Sequence, residues 1–203
     1  MRSTRKLNRE KTMLNDLDHQ LFLFLNGLHV DWLDPVMTFI SSEMGWIPFY
    51  AVLLFLVFYK YRWKGLWVLL GVIVVITLSD QISASVFKPI FHRLRPCYDP
   101  LIEDLVYTPK GKPGGHYGFI SSHAANTFAL ASFIYITMKN NYSKIGWIMF
   151  PWAILVSYSR IYIGAHFPGD IICGAIVGMI LGFGIGYLVN FVTNKRDSSL
   201  RSE

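Results

Sequence analysis

Long apolar runs separated by short polar segments dominate the pattern of this chain. Four of the runs are long enough to cross about 30 Å of hydrocarbon as helices. They lie at residues 65–86, 121–138, 145–163 and 171–192. A fifth run, at residues 47–61, continues a helical stretch that Asp34-Pro35 opens, with an expected bend at Gly45 or Pro48. The pattern predicts an all-α, polytopic membrane helical bundle with about five or six transmembrane helices.

Residues 17–34 show an amphipathic pattern instead. Apolar side chains recur there at helical spacing, and polar side chains lie between them. The apolar positions are Leu17, Leu21, Phe24, Leu25 and Leu28, and the polar positions are His19, Gln20 and Asn26. This indicates an interfacial helix, or a sixth span if residues 17–40 cross the membrane. We divide the chain into a mobile basic N-terminus (1–16), a membrane domain (17–194) and a polar C-terminal tail (195–203).

The charge distribution fits a membrane protein and gives no indication of a nucleic-acid partner. The chain has 203 residues, is 53% hydrophobic and carries a net charge of +6, and its length fits one domain. The basic residues lie at the ends of apolar runs, as in cytoplasmic loops. An odd number of spans would place the basic N-terminus opposite the loops at 60–64 and 139–144. A sixth span removes that conflict.

Glycine recurs every four residues within the last apolar run. The positions are Gly174, Gly178, Gly182 and Gly186. Such a stripe lets a second membrane helix approach closely. A phosphate-binding glycine loop is not indicated, because no strand precedes the stripe and no Gly-Lys-Ser/Thr sequence ends it.

Three polar clusters lie at the ends of apolar runs. They are Lys88 with Arg95-Pro96, Ser121-Ser122-His123, and Ser159-Arg160 with His166 and Asp170. Alternation of the spans places all three clusters on the side opposite the basic loops. We therefore expect them to meet at the non-cytoplasmic (periplasmic or extracellular) face of the cell (inner) membrane.

The first two clusters each allow a structural and a functional interpretation. Lys88 and Arg95 are seven residues apart, so they would share one face of a helix, either as interfacial anchors or as anion ligands. Ser121 suits a helix N-cap, and the unpaired N–H groups of a helix start also bind anions. His116 competes with His123 as the functional histidine. We favour His123, because an apolar helix follows it directly.

The third cluster carries the most specific chemistry. Arg160, His166 and Asp170 lie within eleven residues at a membrane edge, where an idle charge is costly. A carboxylate beside a histidine fixes its tautomer and raises its basicity, although such a pair can also be purely structural. Asp170 falls in the first turn of the last helix, where the helix dipole favours a carboxylate.

These side chains suit phosphoryl transfer, which depends on positioning and on stabilising charge on the phosphoryl oxygens. Lys88, Arg95 and Arg160 provide positive charge for those oxygens. One histidine can attack phosphorus, and a second can protonate the leaving oxygen. We expect no metal and no other cofactor, since three fixed cations are present and no cage of carboxylates is evident.

The clusters resemble the three-part signature of the type 2 phosphatidic acid phosphatases (PAP2), whose superfamily includes the vanadium-dependent haloperoxidases. The matching sequences are Lys88-x6-Arg95-Pro96, Ile120-Ser121-Ser122-His123 and Ser159-Arg160-x5-His166-x3-Asp170. The first and third parts match in full. In the second part Ile120 and Ser122 replace the proline and glycine of the family's Pro-Ser-Gly-His. A backbone N–H is present after either replacement.

The resemblance implies a role for each residue of the signature. His166 would be the nucleophile that forms a phosphohistidine, and Asp170 would orient it. His123 would be the general acid and then the base for water. The phosphate ligands would be Lys88, Arg95, Arg160, Ser121 and the backbone of Ser122.

The leading hypothesis is a membrane lipid phosphatase acting on a phosphate monoester or on the terminal phosphate of a diphosphate. Candidate substrates are undecaprenyl diphosphate, phosphatidylglycerol phosphate, phosphatidate and lipid A phosphates, and the small size of the chain favours recycling of a polyprenyl carrier. The alternatives are a vanadate-dependent haloperoxidase and a non-catalytic lipid-binding or transport protein. The sequence assigns no oligomeric state.

Overall fold

The described part of the protein is helical. A computed structural model describes the backbone of residues 2–200 and the side chains of residue 13 and residues 15–193. The helices are α1 (Arg2–Asn26), α2 (Asp34–Ser41), α3 (Ile47–Tyr61), α4 (Gly65–Gln81), α5 (Lys88–Phe91), α6 (Ser122–Met138), α7 (Gly146–Tyr162) and α8 (Pro168–Leu200). Within these residues the one β-type pairing is an isolated bridge between Leu94 and Tyr117.

The five predicted apolar runs coincide with α3, α4, α6, α7 and α8. Among the described residues, two helical stretches, Met44–Phe91 and Pro168–Thr193, are long and apolar enough to cross a bilayer. The first is divided at Arg62, whose φ of 49° ends α3 before α4 begins. The all-α class is confirmed, and the number of spans remains a prediction.

The stretch that begins at Asp34 is broken where a bend was predicted. Helix α2 ends at Ser41, Ser42 has an extended backbone, and a short 3-10 turn, Met44–Trp46, leads into α3. The indole N–H of Trp46 donates to the carbonyl of Ile40 at 2.8 Å and fixes this break. Residues 41–43 are thereby directed toward the ends of α6 and α7.

Helix α6 occupies the centre of the bundle and packs against α4, α7 and α8. Its contact with α8 is closest, because the glycine stripe of α8 faces small residues of α6. A Cβ atom on Gly178 would lie 2.2 Å from the carbonyl oxygen of Ala125, and one on Gly182 would lie 2.3 Å from that of Ala129. The prediction that the stripe serves close helix packing is confirmed.

Helix α1 contains more of the chain than the sequence pattern indicated. It begins at Arg2, so residues assigned to a separate N-terminus form the first half of one helix, consistent with the high helix propensity of Arg, Lys, Glu and Leu. Similarly, α8 continues to Leu200 through most of the predicted tail, whose last residues, 201–203, lie outside the described residues.

The face that α1 turns to the bundle is not its leucine stripe. Leu17, Leu21, Phe24 and Leu28 are exposed, as expected of a helix that borders lipid, whereas Phe22 and Asn26 are buried. The Asn26 amide donates to the carbonyls of Tyr107, Ile161 and Tyr162 at 2.9 to 3.1 Å. These bonds attach the C-terminal end of α1 to the end of α7.

Gly178→Val should destabilise the bundle, because the added side chain must displace the backbone of α6. Overpacking of this kind costs roughly 1–3 kcal/mol or more, so we expect a clearly lower melting temperature in detergent. Gly184→Val is the matched control, since nothing lies within 4 Å of a Cβ at Gly184 on the same helix. Equal melting temperatures for the two variants would contradict the close approach of α6 and α8.

Candidate active site

The three polar clusters meet where α6 and α8 begin and α5 and α7 end. The N–H of Ser121 donates to the carbonyl of Asp170 at 3.1 Å, which joins the second cluster to the third. The ammonium of Lys88 donates to the hydroxyl of Ser122 at 3.1 Å, which joins the first cluster to the second. The predicted convergence of the clusters is therefore present in the structure.

Lys88 and Arg95 do not share a helix face, so that part of the prediction is wrong. Helix α5 ends at Phe91 because His92 adopts a left-handed conformation, with φ of 46°. Arg95 lies beyond it in an extended segment, where its N–H donates to the carbonyl of His116 at 2.9 Å. Arg95 thus reaches the site through a loop pairing with residues 116–118.

The start of α6 uses side chains as well as backbone. Ser121 is buried at the N-cap and its hydroxyl accepts from the N–H of Ala124 at 3.4 Å. The Ser122 hydroxyl accepts from Ser83 at 2.9 Å as well as from Lys88. Ser83 lies in a π-helical turn, Ile82–Phe87, that precedes Lys88. No sequence pattern indicated Ser83, and the resemblance indicated only the backbone of Ser122.

His123 lies at the edge of a cavity of about 660 Å³. The cavity is also lined by Ser41, Glu43, Trp46, Asp80, Asn126 and Trp152, among others. The Nε2 atom of His123 lies 3.9 Å from the Glu43 carboxylate. The ring of His116 instead packs against Tyr98, with 4.6 Å between centroids. Geometry therefore favours His123 over His116 as the histidine that faces a ligand.

Arg160 and His166 are connected by the turn that ends α7. The carbonyl of Arg160 accepts from the N–H groups of Ala165 at 2.9 Å and His166 at 3.3 Å, which folds His166 back toward the arginine. The Arg160 guanidinium donates to the hydroxyl of Ser41 at 2.5 Å. The break after α2 therefore supplies a ligand that orients this cation.

His166 and Asp170 form a buried pair, with relative exposures of 2% and 0%. The Nδ1 atom of His166 lies 3.7 Å from Oδ2 of Asp170, beyond hydrogen-bond length. Burial lowers the pKa of His166 well below its usual value, and the charges of Arg160, Arg95 and Lys88 lower it further. Burial and all three predicted cations therefore favour the neutral form of this imidazole.

Two residues that the sequence pattern did not single out complete the surroundings of Asp170. The Arg93 guanidinium donates to Oδ1 of Asp170 at 2.7 Å. Gly118 lies where a Cβ atom would be 3.1 Å from Cγ of Arg95, 3.2 Å from Oδ2 of Asp170 and 3.5 Å from Nδ1 of His166. The glycine-rich loop 111–118 was the available signal for Gly118, whereas nothing in the spacing distinguished Arg93 from an interfacial cation.

The site as a whole suits a tetrahedral anion. It combines a neutral buried imidazole next to a carboxylate, three cations, and a second imidazole at the edge of a cavity. The described residues include no group of three or more His, Cys, Asp or Glu side chains placed to hold a metal ion.

Known proteins are similar to this chain in sequence and in fold. A family model described as the PAP2 superfamily matches residues 66–194. The chain is 38% identical to a lipid A 4'-phosphatase of Bacteroides thetaiotaomicron over 192 residues, covering 94% of this chain and 83% of that protein. It is 40% identical to a lipid A 4'-phosphatase of Porphyromonas gingivalis over 168 residues, covering 82% and 70%.

A solved structure has the same fold. It is a transmembrane PAP2 type phosphatidylglycerolphosphate phosphatase from Bacillus subtilis, with a TM-score of 0.66 and 22% identity. The match covers 90% of this chain and 87% of that one. It bears on the fold alone and confirms the predicted membrane helical bundle.

Gly118→Ala should impair the site without unfolding the protein, because the added methyl group must move Arg95 and Asp170 by a few tenths of an ångström. We expect phosphate release from a lipid phosphate to fall roughly ten- to hundredfold, because small misplacements of catalytic groups reduce reaction rates by factors of this size. Gly114→Ala, in the same loop with nothing within 4 Å of a Cβ, is the control. Wild-type activity in Gly118→Ala would show that this close approach is not required.

Proposed function

This chain belongs to the PAP2 superfamily and is a membrane lipid phosphatase, and we propose that it works through a phosphohistidine at His166 without a metal. One observation carries this proposal: the imidazole of His166 is buried beside the Asp170 carboxylate, and the charges of three cations favour its neutral form. A nucleophile and an electrophilic phosphorus are brought together most effectively when the anion-binding groups are already in place.

In the first step Nε2 of His166 attacks phosphorus while the bond from phosphorus to the lipid oxygen breaks. Nδ1 faces Asp170, so its proton can be held by that carboxylate once their 3.7 Å separation shortens. Lys88, Arg95 and Arg160, with Ser121 and the backbone N–H of Ser122, bind the phosphoryl oxygens. His123 gives its proton to the leaving oxygen.

In the second step water attacks the phosphohistidine. His123 accepts a proton from that water, the bond between Nε2 and phosphorus breaks, and inorganic phosphate leaves. The enzyme returns to its starting protonation state, so no oxidant, reductant or cofactor is consumed.

The cavity beside His123 favours a leaving group that carries no second phosphate close to the reacting one. Among the described residues that line it are the acids Glu43 and Asp80, and there is no lysine or arginine. A diphosphate or a phosphatidylglycerol phosphate would place a second anionic phosphate there, next to two carboxylates. Tryptophans and amides in the same lining suit a hydroxylated sugar headgroup.

We therefore rank a phosphate monoester on an acylated sugar, of the lipid A type, above the polyprenyl diphosphate that chain size favoured. The lipid A 4'-phosphatases named above agree with this order. We also propose that the site opens at the non-cytoplasmic face of the inner membrane. Embedding in the membrane argues against a haloperoxidase, and the complete set of charged groups argues against a non-catalytic transport protein.

His166→Ala should abolish phosphate release, because it removes the proposed nucleophile. Purified full-length protein is assayed in mixed micelles with lipid A phosphate in EDTA, and release of inorganic phosphate is measured. Full activity in His166→Ala would contradict the proposed mechanism. Strict dependence of wild-type activity on an added divalent ion would contradict the proposal that the reaction needs no metal. Halide-dependent peroxidase activity with added vanadate would support the haloperoxidase alternative.

The two competing histidines supply the matched control for the same assay. His123→Ala should lower kcat by roughly 10²–10⁴-fold, the usual contribution of a general acid. His116→Ala should change kcat little, because its ring packs on Tyr98 away from the cavity. A larger loss of kcat in His116→Ala than in His123→Ala would assign the role of general acid to His116.

A substrate panel at matched detergent fraction tests the choice of leaving group. We expect kcat/KM to be higher for lipid A phosphate than for undecaprenyl diphosphate or phosphatidylglycerol phosphate. Glu43→Gln should reduce the difference in kcat/KM between these substrates, because it removes repulsion between the Glu43 carboxylate and a second phosphate. Asp104→Asn, which removes a charge from an exposed loop residue, should leave that difference unchanged. A preference for the diphosphate that is unchanged in Glu43→Gln would contradict the electrostatic argument.

A further inference from the structure

Arg93 is held on two sides by carboxylates. Its guanidinium donates to Oδ1 of Asp170 at 2.7 Å and to Oδ2 of Asp18 at 2.5 Å. The same guanidinium lies 4.4 Å from the ring centroid of Phe167, whose face it covers. Its backbone carbonyl accepts from the N–H of Gly118 at 2.8 Å. Both ends of Arg93 are therefore fixed, and its charge points at the acid of the proposed catalytic pair.

Asp170 divides its two oxygens between two tasks. Oδ2 accepts from the N–H of Phe167 at 3.0 Å and faces His166, whereas Oδ1 is bonded to Arg93. A fully buried carboxylate stays ionised only where a cation and hydrogen bonds replace its lost hydration. Arg93 is the cation that the structure bonds directly to Asp170, so the charge and the orientation of this acid depend on it.

Asp18 in turn holds Arg93 and the beginning of α8 together. One of its oxygens accepts from Arg93, and the other accepts from the N–H of Gly169 at 2.8 Å. A Cβ atom at position 169 would lie 2.8 Å from that carboxylate, so glycine is what permits this approach. Asp18 lies on α1, whose His19 and Phe22 rings also pack on Phe167.

We propose that Asp18 and Arg93 form a positioning relay, in which α1 holds Arg93 and Arg93 holds Asp170 where it orients His166. The relay rests on the proposed roles of His166 and Asp170. Its importance follows from the 3.7 Å separation of that pair, since a small displacement of Asp170 decides whether a hydrogen bond forms. Neither Asp18 nor Arg93 touches the reacting phosphate in this scheme.

Substitution of each member tests the relay in full-length protein. Asp18→Asn keeps the shape of the side chain, and Arg93→Gln removes the guanidinium. We expect each substitution to lower kcat roughly ten- to hundredfold and to leave KM nearly unchanged. Losses of this size follow when a group that orients a functional side chain is removed. Asp16→Asn, an exposed acid on the same helix, should keep wild-type kcat.

The double variant and chemical rescue distinguish a relay from general destabilisation. If Asp18 acts through Arg93, the double variant Asp18→Asn/Arg93→Gln should be about as active as Arg93→Gln alone. Once the guanidinium is absent, loss of the Asp18 carboxylate has no further effect on Asp170. Methylguanidinium should restore part of the activity of Arg93→Ala, and sodium at equal ionic strength should not. Arg93→Lys, which keeps the charge, should retain more activity than Arg93→Gln.

Several outcomes would overturn the relay. Wild-type kcat in Asp18→Asn, losses that multiply in the double variant, or no rescue of a folded Arg93→Ala would each do so. A raised KM with unchanged kcat would make Arg93 a phosphate ligand instead. Wild type and His166→Ala are assayed alongside, so that absence of phosphate release from wild type identifies failure of the proposed function itself.

Discussion

The close packing of α6 against α8 is the constraint on which the rest of the site depends. A Cβ atom on Gly174 would lie 2.6 Å from the carbonyl of Ser121, so the helix starts are in register at their first turn. The bond from the Ser121 N–H to the Asp170 carbonyl can form only at that distance. Glycines on α8 thus fix where the start of α6, the proposed phosphate-binding end, lies relative to the His166–Asp170 pair.

This packing gathers positive charge in a place where water is scarce. Lys88, Arg95 and Arg160 all act on His166, and the buried carboxylate nearest to it is already bonded to Arg93. Cations held near one another without matching anions raise the free energy of the site. In the proposed mechanism a phosphate dianion relieves that repulsion, so affinity for the phosphoryl group and its electrostatic activation would have the same origin.

The sequence predicted those features that depend on local pattern. Apolar runs predicted α3, α4 and α6 to α8, the N-cap at Ser121 and the glycine stripe followed from spacing, and alternation predicted the convergence of the clusters. Features that depend on tertiary contacts were missed. A left-handed residue, His92, removed Arg95 from the helix of Lys88, and Arg93 gained its position from Asp18, 75 residues earlier in the chain. Helix propensity, not polarity, decided that α1 begins at Arg2.

Helix α1 and the break after α2 give the site a part that the family match does not include. The matched region begins at residue 66, whereas Asp18, Ser41 and Glu43 precede it and contact Arg93, Arg160 and His123 respectively. Ser41 and Glu43 contact residues of the signature directly, and Asp18 contacts Arg93, which lies between Lys88 and Arg95 in its first part. In the proposed mechanism, contacts of this kind can adjust both the nucleophile and the surroundings of the leaving group. Asp18 belongs to α1, Ser41 to the end of α2 and Glu43 to the break that follows it, so the site takes part of its surroundings from the N-terminal third of the chain.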